Sequence, residues 1–220
     1  MVKLADSGLL LTFEGMEGCG KSTQIALLAG RLRGLGREVV VSREPGATAL
    51  GLELRKLLLD PAYDPDALTE MLLYLADRAE HCRLVVAPAL RRKALVLLDR
   101  YVDSTWVYQG FVDRRLETAR VDQFNHLVVG NCWPQLTFLL DCPAEIGLQR
   151  ALRRNQENGS VGVADRFERR RLDFHEAVRR GFLTLAAREP ERIQVVDATC
   201  GIEDMHAVIW REFVKKYALR

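Results

Sequence analysis

Residues 9–23 read LLLTFEGMEGCGKST. An apolar run, 9–13, passes into Gly15-Met16-Glu17-Gly18-Cys19-Gly20-Lys21-Ser22, which fits G-x-x-x-x-G-K-[ST], and a helical pattern follows from Ser22 and Thr23. Strand, glycine-rich loop and helix in that order are the context in which the motif carries chemistry. The glycines let the backbone wrap a phosphate chain with its N–H groups turned inward, and the helix start adds a positive end. In that reading Lys21 supplies a point charge to the β- and γ-phosphates and Ser22 a hydroxyl to Mg²⁺. The loop, Gly15 to Ser22 with Thr23 behind it, is the expected ATP site.

Working outward, short apolar runs alternate with helical stretches. Residues 9–13, 38–42, 94–98, 136–140 and 193–196 read as strands, largely apolar on both faces. Residues 22–35, 50–59, 67–89, 105–110, 116–129, 144–154, 166–187 and 203–217 read as helices. Strands without polar alternation suit a parallel sheet covered on both sides. The fold class expected is α/β, a five-stranded parallel sheet with helices on both faces, in one domain spanning 1–220. Ligands of such sheets lie at the carboxyl ends of the strands.

Composition narrows the classes further. The chain has 220 residues, 48% hydrophobic and 28% charged, with 32 Lys+Arg against 30 Asp+Glu and a net charge of +2. That is globular composition, and so even a balance argues against a general polyanion binder. No apolar run approaches the roughly 18 residues of a membrane span. The start, 1–8, has no leader pattern, and the five cysteines are odd in number and scattered without C-x-x-C. The expectation is a cytoplasmic protein with free thiols and no zinc site. The one break in periodicity, NQENGSVGVA at 155–164, is flanked by arginines. Residues 150–171 hold seven arginines and three acidic residues, a net +4. The segment reads either as a solvated loop or as a mobile basic lid, about 150–166, over an anionic ligand.

A second strand-end site follows the third strand, at Asp99-Arg100-Tyr101. An aspartate beside a phosphate loop can hold Mg²⁺, usually through water, and an adjacent arginine can fork onto phosphate oxygens. A regulatory GTPase would need N/T-K-x-D, which is absent. Small phosphotransferases remain.

The strings FEGMEGCGKST (13–23), SREPGAT (42–48), LLYLADRAEH (72–81), LLDRYVDSTWVYQG (97–110) and VVDAT (195–199) together resemble the bacterial thymidylate kinases, in order and spacing over nearly the whole chain. Deoxynucleoside kinases resemble it less, since they usually carry Glu-Arg-Ser where this chain has Asp-Arg-Tyr. The resemblance implies ATP + dTMP → ADP + dTDP with Mg²⁺, in a homodimer, without nucleic acid or membrane. It places Tyr74 on the thymine ring, Arg78 on its edge, and Thr105 and Gln109 near the same base. It puts Arg43 and Arg100 on the dTMP phosphate, Glu17 near the sugar 3′-hydroxyl and phosphates, and Tyr108 against C2′, where it excludes a ribose hydroxyl. Tyr74 and Arg78, four residues apart, share one helix face. The Glu44–Pro45 peptide is expected to be cis.

Two residues depart from the family pattern. Cys19 stands where alanine is usual, among N–H groups able to lower its pKa. Ala47 replaces a glycine, at a cost only if the position needs a positive φ. The phosphate loop also lacks the arginine that one of the family's two types carries there. The missing charge is therefore expected from the lid: Arg150 and Arg154, one turn apart, and Arg166. Lys21, Glu17, Arg100, Arg154 and Arg166 form the expected catalytic set. Another nucleoside-monophosphate or nucleoside kinase of the same fold, and a non-catalytic, ATP-gated nucleic-acid binder, are the rival readings. The second lacks aromatics interleaved with the arginines apart from Phe167 and Phe174.

Overall fold

The computed structural model describes residues 8–157 and 170–218. Five strands, β1 (Leu9–Glu14), β2 (Val39–Arg43), β3 (Leu95–Asp99), β4 (Leu136–Asp141) and β5 (Ile193–Asp197), form one sheet in the order β2-β3-β1-β4-β5. Every pairing is parallel. The register sets Phe13 beside Asp99 and Glu14 beside Leu139, so the phosphate loop and the Asp-Arg-Tyr turn leave the sheet side by side.

Alternate residues of the central strands feed opposite layers. Leu11, Phe13, Leu97 and Phe138 pack against α1 (Lys21–Gly34) and α9 (Ile202–Tyr217) through Leu28, Leu32, Ile209 and Phe213. Leu10, Val96 and Leu98 face Val86, Ala89 and Val129 on the other side. There the cover is α3 (Ala67–His81), α4 (Ala87–Arg91), α5 (Val102–Thr105), α6 (Thr118–Val129) and α8 (Leu172–Arg188). α2 (Ala49–Leu59) packs on α3, and α7 (Ala144–Glu157) follows β4.

The differences from expectation have local causes. The apolar-on-both-faces reading fails at the sheet edges: Val41 on β2 is 46% exposed and Val195 on β5 is 50% exposed. The helix expected over 67–89 is continuous but widens into a π turn at Cys82–Val86, with Ala87 N–H reaching Cys82 O. Pro88 lacks an N–H for the normal ladder, which is where such a wider turn is accommodated. A second π segment, Trp106–Val112, replaces the helix expected at 105–110. α7 runs to Glu157, beyond the expected 154, with an i,i+4 pair from Arg153 to Glu157 at 2.9 Å. The remainder of the 155–164 break, the lid as far as 166, and Arg166 itself lie outside the described residues. The helix expected from 166 is described from Leu172.

Candidate active site

The phosphate loop closes over the head of α1 because its glycines take conformations other residues resist. Gly18 has φ 72°, and a Cβ there would collide with the Gly147 carbonyl oxygen. Gly20, at φ 96°, is the residue that caps α1. Lys21 begins the helix and folds back, its Nζ donating to Met16 O at 2.8 Å and Gly15 O at 3.2 Å. An ammonium resting on loop carbonyls sits at the loop's mouth, where an anion would replace them as its partner. Next to it Ser22 Oγ donates to Asp99 Oδ2 at 3.0 Å, so the two residues expected at a metal do meet.

These residues line one cleft of about 490 Å³ at the carboxyl ends of β1, β2 and β3. Of the expected set, Glu17, Gly18, Gly20, Lys21, Ser22, Thr23, Arg43, Tyr74, Arg78, Asp99, Arg100, Thr105, Tyr108, Gln109, Arg150 and Arg154 face it. Gly15, Met16 and Cys19 do not. The side chains of Met16 and Cys19 are in the core, so only their backbone is left to the loop. Cys19 also overturns the expectation of a lowered pKa. Burial pushes its thiol up, against the pull of Lys21 and Arg100. Ala47 has no positive φ, and its substitution for glycine is without backbone cost. Glu44–Pro45 is cis.

Beside the phosphate loop the cleft is lined by further arginines, Arg43, Arg100 and Arg150 among them. Arg100 has φ 66°, in the left-handed region, at the turn after β3. Its Nη2 donates to Glu17 Oε1 at 2.6 Å and its Nη1 to Ser104 Oγ at 3.2 Å. Burial works to raise the Glu17 carboxyl, but Arg100, Lys21 and Arg154 outweigh it and hold it at about 2. Glu17 is therefore an anion among cations, and the field of Arg154 reaches it. Arg43, exposed at the end of β2, has no hydrogen bond or ion pair among the described residues. Arg150 is committed: its Nη1 donates to Ala198 O at 2.7 Å.

Arg78 faces the cleft as expected and is also bound deeply into the fold. It is 1% exposed and donates to Glu44 Oε2 (2.8 Å), Thr105 Oγ1 (2.9 Å), Asn125 Oδ1 (2.8 Å) and Tyr101 O (2.9 Å). A guanidinium has five N–H donors, so one remains for the cleft. Arg78 is thus a structural hub that presents one donor, rather than a free base-reading side chain. Tyr108 stands against Phe174 and Phe182, with Arg100 5.6 Å from its ring centroid. Gln109 is held by Glu70 on α3.

Two buried carboxylates to which no sequence motif assigns a role support the cleft, Glu44 in its lining and Glu14 behind it. Glu44 bridges Arg78 and His81, accepting at 2.8 Å from each. Glu14, fully buried at the end of β1, accepts from Tyr101 N and Ser104 Oγ, each at 2.7 Å. The only signal was a carboxylate closing an apolar strand.

A glycine-rich loop of the phosphate-cradling pattern, a hydroxyl–carboxylate pair beside it and a second group of cations in the same cleft point to the class: a P-loop nucleoside-monophosphate kinase. Comparison with known proteins narrows it. The family model for thymidylate kinase matches residues 13–209. Thymidylate kinase from Geobacter sulfurreducens is 48% identical over 197 residues, 89% of this chain and 92% of that protein. The one from Deinococcus radiodurans is 48% identical over 203 residues, 92% and 95% respectively. The crystal structure of thymidylate kinase from Ehrlichia chaffeensis superposes with a TM-score of 0.73 at 31% identity, covering 94% of this chain and 98% of that one. The chain belongs to the thymidylate kinase family.

Proposed function

We propose that the protein transfers the γ-phosphoryl group of ATP to dTMP. An oxygen of the dTMP phosphate attacks the γ-phosphorus, the bond to the β-bridging oxygen breaks, and ADP leaves with that oxygen. The observation that carries this reading is a single cleft with two cationic groups that meet in it. The Gly18–Ser22 loop lines it together with Arg43, Arg100, Tyr74 and Tyr108, and Arg100 Nη2 donates to Glu17 Oε1 of the loop at 2.6 Å. Phosphoryl transfer needs alignment and cations around the moving charge more than it needs covalent partners. Lys21 and the loop amides hold the donor, while Arg100 and Arg43 hold the acceptor phosphate. Arg150 and Arg154 on α7 add charge from the donor side. Tyr74, Thr105, Gln109 and the last donor of Arg78 surround the base, and Tyr108 lies on the sugar with Glu17 near its 3′-hydroxyl.

Mg²⁺ enters with ATP as part of the donor substrate, neutralising phosphate charge. The donor set fits a hard cation: one hydroxyl and one carboxylate, Ser22 and Asp99, 3.0 Å apart. Among the described residues no cluster of three or more His, Cys, Asp or Glu is built to hold a metal by itself. A cation held by one or two protein oxygens, water and phosphates has the coordination habit of Mg²⁺.

The working form is a homodimer. Leu68 and Leu72 on α3 and Phe124 and Leu127 on α6 are exposed, Leu127 by 78%, on helices that pack together. A second copy would cover such a face. The five cysteines are free, in keeping with a reducing cytoplasm, and no described helix is long and apolar enough to cross a membrane. The reading is tested by product identification: ³¹P NMR of a reaction containing ATP, Mg²⁺ and dTMP should show the paired phosphorus signals of dTDP. Free inorganic phosphate with unchanged dTMP would reject it.

A further inference from the structure

Glu14 is not in the cleft wall, yet its carboxylate underlies the arginine that the proposed reaction depends on. It closes the central strand, one residue before the phosphate loop, and is completely buried. Both of its oxygens are used. Oε1 accepts the Tyr101 amide and Oε2 the Ser104 hydroxyl, each at 2.7 Å. Ser104 Oγ in turn accepts from Arg100 Nη1 at 3.2 Å. Arg100 itself is held left-handed, φ 66°, with its own amide on Phe13 O at 3.0 Å. The backbone on both sides of this arginine is therefore pinned to the end of β1, by the Phe13 carbonyl before it and the Glu14 carboxylate after it. An arginine in that conformation persists only where its surroundings fix it.

We infer that Glu14 is a positioning residue for Arg100, setting the turn and the guanidinium through the Tyr101 amide and the Ser104 hydroxyl without touching substrate. This rests on the reading that Arg100 grips the acceptor phosphate. The chemistry of the anchor asks for a carboxylate. Two donors point at two acceptor oxygens, and an amide offers one acceptor and turns an N–H toward Ser104. Keeping a carboxylate here works against folding. Burial, and next Asp103, push Glu14 up to about 7, while Arg100, Ser104 and the Tyr101 amide pull it down. Glu17 and Tyr108 stand close enough to Arg100 to share its field. A group retained against its own desolvation is characteristic of a site shaped for function.

Glu14→Gln, Glu14→Asp and Arg100→Ala test this at pH 8, each varied in dTMP at saturating ATP and in ATP at saturating dTMP, with thermal unfolding alongside. Misplacing a phosphate-gripping group by a fraction of an ångström to 1 Å costs roughly ten- to a hundredfold. Glu14→Gln should therefore lose that much in kcat/KM for dTMP, keep the KM for ATP within about twofold, and unfold no lower than the wild type. Glu14→Asp keeps the charge and should recover part of the loss. A purely structural role would lower the unfolding temperature and both substrates' parameters together, or leave kinetics untouched. Either result overturns the inference. If Arg100→Ala is impaired toward dTMP while Glu14→Gln matches the wild type, Glu14 alone was misread. If Arg100→Ala is unimpaired, the acceptor-site reading falls and the inference with it.

Discussion

Replacing Arg78 by methionine should destabilise the fold before it says anything about substrate. The substitution keeps most of the apolar stem and removes the guanidinium. Glu44, whose side chain is 2% exposed, then loses the 2.8 Å partner on its Oε2 and keeps only His81 on Oε1. Thr105 Oγ1, Asn125 Oδ1 and the Tyr101 carbonyl lose a donor at the same time. Removing one member of a buried ion pair costs about 3–5 kcal/mol, because the other charge stays buried without compensation. For a chain of this size each kcal/mol lowers Tm by about 2–4 °C, which gives a fall of roughly 6–20 °C. Calorimetry on the free enzyme is the assay. Adding Glu44→Gln to Arg78→Met should return at least about 1 kcal/mol, since the neutral amide no longer needs the cation. If Arg78→Met unfolds within 2 °C of the wild type, given roughly 2–4 °C per kcal/mol, the hub description is wrong and Arg78 serves ligand alone.

Arg154→Ala should slow turnover roughly a hundredfold with dTMP affinity little changed, because its field reaches Glu17 in the phosphate loop; rapid-quench kinetics with binding titrations decide between donor and acceptor sites. Tyr108→Ala should retain activity but lose about 5- to 150-fold of its preference for deoxy over ribo acceptors, seen in the ratio of kcat/KM values, since a buried hydroxyl without a partner costs about 1–3 kcal/mol. The raised Glu14 makes stability depend on pH with a defined sign. Its folded carboxyl sits near 7 against an ordinary 4.5, so its contribution is complete below about 4.5 and is lost as pH rises through 7. That difference corresponds to roughly 3 kcal/mol. The unfolding temperature of the wild type relative to Glu14→Gln should therefore fall between pH 4.5 and 8; a flat difference contradicts it.

The phosphate loop and the five strands were legible because they depend on local rules. Gly18 and Gly20 need φ values that few residues tolerate, and apolar runs such as 94–98 have one way to hide both faces. Other features were set by what lies across the fold. The apolar composition of 38–42 does not reveal that β2 ends the sheet, so the exposure of Val41 was unreadable. Cys19 looked like a thiol beside helix N–H groups, but the α1–α9 layer buries it, and desolvation prevails over nearby positive charge. Arg78 was placed on the correct helix face beside Tyr74. Its commitment to Glu44, Thr105, Asn125 and Tyr101 joins residues 23–47 positions away in sequence, and no local pattern encodes that. Glu14 is hidden in the sequence for the same reason: its partners come from the turn after β3.

The most direct test is turnover itself. ADP release should be followed in a coupled assay with ATP and Mg²⁺ against dTMP, dUMP, dCMP, UMP and thymidine. The proposed function predicts the highest kcat/KM for dTMP, a fall of at least about fivefold for the ribonucleotide, and no phosphorylation of thymidine, which lacks the phosphate that the proposal assigns to Arg43 and Arg100. Phosphorylation of thymidine at a rate equal to or above that of dTMP, or ADP release indifferent to the acceptor, would contradict the assignment of the second site.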